Sequence, residues 1–371
     1  MIVSAAADSM ASSIPGRCGV GLNFLQLSIR FSNLSSSANV MVFQFNFGGD
    51  DIPNEGVQDG APLVDNGAVS FLESDTPIVG SPANDPKKYD LASILPRTKI
   101  SYTRDTNEPG ALPRRDLFDV KYQLMAQDKE LTETDHILLG DTNEDIRPSL
   151  YEGGIKVWEC SFDMIHVLEQ QKQKYIHSKG PLAVLEMGCG AAIPSAYLLR
   201  NAVRERSTGM RFCLSDFNLS VLTLVTGPNL LLAWLDGRNR LEADVGEVVI
   251  TDQLVQEFQY DLDQQSIAVE FISGAWSSQF VKLAGLSQFD LVLASETVYS
   301  PDTISIFTDS LIHSLQPTGV GLIGAKKVYF GVGGGIPEFI SALNQRHIGY
   351  DTVFDDTQGV GRAVLSVTRN S

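Results

Sequence analysis

The 371-residue sequence lacks most of the patterns that mark metalloenzymes, disulfide-rich secreted domains and membrane proteins. Its four cysteines form no C-x-x-C pair, so neither a disulfide framework nor a zinc site is expected, and they fit a reducing compartment. Its five histidines are scattered and form no H-E-x-x-H motif, which disfavours a metalloenzyme. There is no uninterrupted run of about 18 uncharged apolar residues, so no membrane span is expected.

Basic residues are also scarce, with 28 Lys and Arg against 45 Asp and Glu and a net charge of −17. This charge disfavours general binding to nucleic acid phosphates. An acidic surface suits a basic protein partner, although it equally serves solubility. Residues 41–150, with 20 acidic and 10 basic residues, are a major source of the acidity.

Residues 1–40 are rich in serine and hold one acid, Asp8, with Arg17 and Arg30. They read either as a mitochondrial transit segment or as sequence upstream of a true start at Met41, and we favour the second interpretation. Under either interpretation, residues 1–40 are not expected to be part of the folded domain.

Residues 41–147 are interpreted as an acidic, partly disordered N-terminal arm, because Gly, Pro, Asn and Asp are frequent in its first half and periodicity is weak. The alternating Phe43, Phe45 and Phe47 predict a short docking strand or an edge strand of the main domain. Residues 117–128 predict a short helix or an extended arm.

Residues 148–371 are predicted to form one α/β domain. Its first helix carries an apolar stripe of Trp158, Phe162, Ile165 and Leu168. Strands and helices then alternate, which predicts parallel βαβ units with helices on both faces. The predicted strands are 183–187, 210–214, 267–272, 289–295 and 319–324, and the predicted helices are 194–205, 218–235, 277–284, 301–315 and 336–346.

Two features complete the predicted domain. The runs 349–356 and 361–369 flank a short glycine-containing turn and predict a terminal antiparallel hairpin. Residues 236–263, charged and irregular, are interpreted as an insertion.

The segment AVLEMGCGAAIPS (183–195) reads as a strand, a glycine turn and a helix start. Gly188 and Gly190 would let the backbone approach a ligand, the helix start offers free N–H groups, and Glu186 at the strand end could accept an amine or hydroxyl. The pattern is E-x-G-x-G-x-A, with Ala192 where a third glycine could stand, rather than the G-x-G-x-x-G of a dinucleotide-binding fingerprint, so a nicotinamide oxidoreductase is disfavoured.

Ligands of open α/β sheets bind at the carboxyl ends of the strands, so the residues that follow each strand are candidates. Asp216 could accept both hydroxyls of a ribose, and Trp276, after the small pair Gly274 and Ala275, could pack beside an adenine. Plainer roles remain open, because Asp216 could cap a helix and Trp276 could be core. Glu296 and Tyr299 could likewise be a cap and a packing ring. The aromatic and glycine loop after the fifth strand, 326–335, could close over a substrate or be only a turn.

Several segments resemble the protein-histidine methyltransferase family that modifies a large-subunit ribosomal protein. They are YEGGIKVWECSFD (151–163), LEMGCGAAIP (185–194), SDFN (215–218), SETVY (295–299), KKVYFGVGGG (326–335) and, in the arm, FQFNFGGDD (43–51) and LPRRDLFDVKYQLM (112–125). The glycine loop itself resembles the cofactor loop of class I, seven-stranded methyltransferases. The resemblance implies a Rossmann-like seven-stranded methyltransferase sheet and methyl transfer from S-adenosylmethionine to a ring nitrogen of a histidine in ribosomal protein three of the large subunit.

The site residues that follow from this resemblance and from the strand ends are a catalytic pair, Glu296 and Tyr299, and a cofactor-binding set. That set is Trp158, Glu159, Cys160, Ser161, Glu186, Gly188, Cys189, Gly190, Asp216, Phe217, Asn218, Gly274, Ala275, Trp276 and Ser295. Ala275 departs from relatives in which an acid often precedes the tryptophan, so a backbone contact to the adenine is expected there. The expected partner is a basic large-subunit ribosomal protein, and no direct binding to nucleic acid or to a membrane is expected. The protein is expected to be a monomer and to be located in the cytoplasm and nucleus.

Histidine suits this chemistry because a neutral imidazole, with a pKa near ~6.5, is abundant at neutral pH. One ring nitrogen attacks while the other carries a proton, and we hypothesise that Glu296 with Tyr299 fixes that tautomer. Two further alternatives stay open. One is a methyltransferase of the same fold that acts on lysine or another side chain, and the other is a non-catalytic module that binds a basic ribosomal protein.

Overall fold

The computed structural model describes residues 84–125, 152–175 and 180–369. The predictions for residues 1–40, for the aromatic alternation at 43–47 and for much of the arm lie outside these residues.

The described strands and helices follow the alternation predicted from residue 181 onward. The strands are β1 (Lys87–Asp90), β2 (Lys99–Arg104), β3 (Pro113–Arg115), β4 (Leu182–Met187), β5 (Met210–Asp216), β6 (Val245–Val249), β7 (Ala268–Ser273), β8 (Phe289–Ser295), β9 (Leu315–Lys326), β10 (Gly349–Asp356) and β11 (Arg362–Thr368). The helices are α1 (Leu91–Ile94), α2 (Leu117–Met125), α3 (Cys160–Gln170), α4 (Lys172–Tyr175), α5 (Ile193–Glu205), α6 (Leu219–Val221), α7 (Gly227–Gly237), α8 (Asp252–Gln264), α9 (Ser278–Ala284), α10 (Pro301–Ser314) and α11 (Ile336–Gln345). A π-helical turn, Leu222–Thr226, joins α6 to α7.

The main sheet has the order β1-β7-β5-β4-β8-β9-β11-β10. Its five central strands are parallel, and β10 and β11 form the predicted antiparallel hairpin at one edge. Val184 and Leu185, neighbours on β4, belong to separate buried apolar clusters, as expected when successive side chains point to opposite faces. Helices therefore cover both faces, as predicted.

Within the described residues the main sheet has eight strands, one more than the seven predicted. The additional strand, β1, pairs antiparallel with β7, and Lys88 forms a 2.6 Å ion pair with Glu270. This pairing joins segments about 180 residues apart in the sequence, so no local sequence pattern predicts it.

Two segments that the sequence left irregular are ordered. Residues 84–125, assigned to the arm, supply β1 to the main sheet and, with β6, form a second sheet in the order β3-β2-β6. The interpretation of 236–263 as irregular is wrong, since the segment contains β6 and most of α8, while its reading as an insertion stays a prediction. Thr251 accepts a hydrogen bond from the backbone N–H of Leu254 and so caps α8, whose Val255, Phe258 and Leu262 are buried.

The stretch Leu219–Gly237 is long and apolar enough to cross a membrane by length and composition alone. Most of it is buried within the fold, however, and Leu230, Leu231 and Leu232 are fully enclosed. Packing in the core thus accounts for its apolar character.

Candidate active site

The carboxyl ends of β4, β5, β7 and β8 border one cleft of about 510 Å³. The predicted residues that the structure brings together there are Trp158, Ser161, Gly188, Cys189, Gly190, Asp216, Phe217, Gly274, Ala275, Trp276, Ser295, Glu296 and Tyr299. The cleft is also lined by residues that were not predicted as site residues from the sequence. They are Glu152, Gly154, Lys156, Val157, Ala191, Thr297, Asp302, Thr303 and Ile306. The glycine pair in YEGGIK was the one available signal for the segment 152–157.

The glycine loop after β4 needs its glycines for both conformation and space. Gly188 and Gly190 have φ of +61° and +50°, in the left-handed region that side chains disfavour. A Cβ on Gly188 would lie 2.7 Å from Cγ2 of Thr297, and one on Gly190 would lie 2.8 Å from the carbonyl oxygen of Gly154. The loop therefore packs tightly against the segment 152–158 and the end of β8.

Hydrogen bonds from the π-helical turn and α7 fix this loop from behind. The Thr226 hydroxyl donates to the Gly190 carbonyl at 2.6 Å, and Nδ2 of Asn229 donates to the Ala191 carbonyl at 2.8 Å. The π turn places Thr226 at this point, in keeping with the frequency of such turns near functional sites.

Asp216 lines the cleft at the end of β5 and also holds the loop. Its Oδ2 accepts from the Gly190 N–H and its Oδ1 from the Asn218 N–H, each at 3.0 Å. Burial raises the pKa of Asp216 to about 6, and these two hydrogen bonds oppose that shift. Each carboxylate oxygen has a second lone pair, so the group can still accept from a ligand hydroxyl.

Four residues of the predicted cofactor-binding set do not line the cleft. Glu186 is 2% exposed, and its carboxylate accepts from the Ser195 N–H at 3.0 Å, so it supports the start of α5 rather than meeting a ligand. Burial raises its pKa to about 8. Glu159, at the N-cap of α3, forms a 3.2 Å ion pair with Nζ of Lys326, and Cys160 is fully buried. Asn218 lies behind it and accepts from the Glu152 N–H at 3.4 Å.

The wall beyond β7 is shaped by the chain that leads into β1. Gly274 has φ of +118°, and a Cβ there would lie 2.8 Å from the Asn84 carbonyl oxygen. The same carbonyl accepts from the Ala275 N–H at 2.9 Å. Trp276 packs edge-on against Phe307 at 5.1 Å between ring centroids and presents part of its ring to the cleft.

Glu296 follows β8 in the left-handed region, with φ of +59°. The Tyr329 hydroxyl donates to its Oε2 at 2.5 Å. Its Oε1 is buried, has no hydrogen-bond partner within the part of the chain that the structure describes, and lies 3.9 Å from Nζ of Lys326. The residue is 8% exposed, so its carboxylate faces the protein interior although the residue borders the cleft. Burial, with the nearby Glu296 carboxylate, raises the pKa of Tyr329.

Tyr299 lies on the same wall, and its hydroxyl donates to Oε2 of Glu152. Both side chains are partly exposed and line the cleft. The Tyr299 carbonyl also accepts from the Gly334 N–H at 3.0 Å, which ties the glycine loop after β9 to this wall. Within the described residues, no three His, Cys, Asp or Glu side chains are grouped so as to hold a metal ion.

Setting β1 aside, the strand order and the terminal hairpin are those of a class I methyltransferase. A tight glycine loop beside a carboxylate at the second strand end and an indole at the third fits a nucleoside with a short polar chain. S-adenosylmethionine is therefore the methyl donor that this cleft accommodates.

The chain belongs to the histidine protein methyltransferase 1 family. It is 38% identical to histidine protein methyltransferase 1 of Saccharomyces cerevisiae over 77% of this chain and 85% of that protein. It is 35% identical to the Schizosaccharomyces pombe protein of the same name over 72% of this chain and 80% of that one, and 31% identical to a Bos taurus homologue over 61% and 58%. No family profile matches the chain. Among solved structures, the CurJ carbon methyltransferase aligns with a TM-score of 0.36 at 11% identity, covering 68% of this chain and 67% of that one.

Proposed function

We propose that this protein transfers a methyl group from S-adenosylmethionine to an imidazole nitrogen of a histidine in a large-subunit ribosomal protein. The observation that carries the proposal is a single cleft that brings the glycine loop and Asp216 together with Ser295, Thr297 and Tyr299. We call the part lined by the glycine loop and Asp216 the cofactor half, and the part lined by Thr297 and Tyr299 the acceptor half.

The cofactor half would be held by residues that line the cleft. Gly188 and Gly190 permit close backbone approach, Asp216 offers carboxylate oxygens to ribose hydroxyls, and Trp276 offers a ring edge to the adenine. When bound, S-adenosylmethionine supplies an electrophilic methyl carbon. Ser295 also lines the cleft, and its buried hydroxyl has no hydrogen-bond partner among the described residues.

The acceptor half needs little beyond positioning, because neutral imidazole is already a nucleophile and in-line approach supplies much of the acceleration. Tyr299 presents its ring and hydroxyl to the cleft. Glu296, proposed from sequence as its catalytic partner, takes a supporting role here because its carboxylate is committed to Tyr329.

A basic ribosomal protein suits the net charge of −17, since opposite charge speeds encounter and favours the correct orientation. Asp302 and Glu152 place two of these acids on the cleft itself. We further propose that the enzyme works in the cytoplasm and nucleus, where such a substrate is made and assembled.

The test is label transfer from S-adenosylmethionine to ribosomal proteins extracted from cells that lack this enzyme. We expect one labelled large-subunit protein, with mass spectrometry placing the methyl group on histidine. A methylated lysine would favour the rival enzyme of the same fold, and absence of both transfer and calorimetric binding of S-adenosylmethionine would favour a binding module. Gly190→Ala is the inactive control and Gly180→Ala the matched one, because a Cβ on Gly180 meets nothing within 4 Å.

A further inference from the structure

Two carboxylates border the acceptor half of the cleft, and they differ in what an incoming side chain could reach. Glu296 offers no accessible oxygen, because Oε2 accepts from Tyr329 and Oε1 is buried. An imidazole could reach this carboxylate only by displacing the Tyr329 hydroxyl, which lies 2.5 Å away.

Glu152 is placed differently. It is partly exposed, it lines the cleft, and its Oε2 accepts the hydroxyl proton of Tyr299. The carboxylate is thus oriented by a residue on the acceptor wall, and its partial exposure in the cleft places it within reach of an incoming side chain.

The backbone around Glu152 links the two halves of the cleft. Its N–H donates to Oδ1 of Asn218 at 3.4 Å, and a Cβ on Gly154 would lie 3.0 Å from Oδ2 of Asp216. The segment is therefore packed against the cofactor end, while the Glu152 side chain meets Tyr299 at the other. This placement suits a group that aligns an acceptor with a bound methyl donor.

We propose that Glu152 is the carboxylate that accepts the N–H of the target imidazole, with Tyr299 holding it in place; this assignment rests on the proposed function. The lone pair of the opposite ring nitrogen forms the N–CH₃ bond as the methyl–sulfur bond breaks, and the sulfur keeps that bonding pair. The ring becomes a cation beside the Glu152 carboxylate, and its N–H proton then passes to that carboxylate or to water. Because this hydrogen bond selects the tautomer, it selects the nitrogen that is methylated.

The test compares Glu152→Gln with the wild-type enzyme. The substrate is the ribosomal protein that the wild-type enzyme methylates, purified from cells that lack the enzyme. Glutamine keeps the shape but loses the charge and the proton acceptor, so we expect kcat/KM to fall about 10- to 100-fold, as for a lost hydrogen bond to a charged group. We also expect the ratio of the two methylhistidine isomers to shift, with the Kd for S-adenosylmethionine and the melting temperature nearly unchanged. Tyr299→Phe should move the isomer ratio in the same direction.

The matched control is Glu169→Gln, because Glu169 accepts from the Tyr197 hydroxyl at 3.1 Å in a similar pair outside the cleft. We expect it to keep the wild-type rate and isomer ratio. An unchanged rate and ratio for Glu152→Gln would overturn the assignment, as would a weaker Kd for S-adenosylmethionine that alone accounts for the loss. If the wild-type enzyme makes no methylhistidine, the proposed function itself fails and this assignment with it.

Discussion

Replacing Gly188 with alanine tests whether the cofactor loop is held by steric contact with the end of β8. An alanine at φ of +61° costs about 1–2 kcal/mol of backbone strain. Its Cβ would also lie 2.7 Å from Cγ2 of Thr297, and crowding of this kind costs about 1–3 kcal/mol. We therefore expect the free energy of unfolding to fall by about 2–5 kcal/mol.

Two further variants separate these terms. Gly359 has the same φ of +61°, but a Cβ added there would meet nothing within 4 Å, so Gly359→Ala should lose only about 1–2 kcal/mol. Thr297→Ser removes the methyl group that the new Cβ would strike, so the double variant should regain about 1–3 kcal/mol relative to Gly188→Ala.

The assay is urea denaturation of these three variants, of Thr297→Ser alone and of the wild type, with calorimetric titration of S-adenosylmethionine beside it. We expect Gly188→Ala to bind S-adenosylmethionine at least about tenfold more weakly, in proportion to about 1.4 kcal/mol or more of loop distortion. Equal losses for Gly188→Ala and Gly359→Ala, or no recovery with Thr297→Ser, would refute the steric argument.

Three other variants test the surroundings of the cleft. Burial raises the pKa of Glu186 from 4.5 to about 8, so the folded protein keeps a proton that the unfolded chain releases. The contribution of this proton to stability is full below about pH 4.5 and is lost as the pH rises to 8. Glu186→Gln should flatten that decline when denaturation is measured at several pH values. Tyr329→Phe removes the hydroxyl donated to Glu296 and should cost about 1.5–3 kcal/mol in thermal unfolding, whereas Tyr175→Phe, whose buried hydroxyl has no hydrogen bond among the described residues, should cost little. Thr226→Val leaves a carbonyl of the glycine loop without its donor and should cost about 1–3 kcal/mol, with weaker binding of S-adenosylmethionine by calorimetry; an unchanged Kd would contradict this account of the loop.

The alternation of strands and helices was predictable from local sequence, and the reason is visible in β4. Its six residues are almost all buried, as in a central parallel strand, and a glycine turn follows at once. Strong local signals of this kind also located the β10–β11 hairpin. By contrast, β1 carries two lysines on an edge, and it is a strand only because β7 offers an unpaired neighbour.

Within the cleft, residue types were easier to predict than side-chain directions. Asp216 and Trp276 follow strands that end at one edge of the sheet, so their meeting was predictable from topology. Glu186 is the penultimate residue of β4 and Glu296 follows β8, yet their carboxylates turn inward to Ser195 and Tyr329. Those partners lie 9 and 33 residues away, and such pairings depend on packing that no spacing rule encodes.

The central claim is that the cleft at the strand ends delivers a methyl group to histidine. The most direct measurement is amino acid analysis of protein labelled by this enzyme with methyl-labelled S-adenosylmethionine and then hydrolysed in acid. We expect the label to elute as methylhistidine and to be lost with Gly190→Ala. Label that elutes as methyllysine, or methylhistidine that Gly190→Ala produces at the wild-type rate, would contradict it.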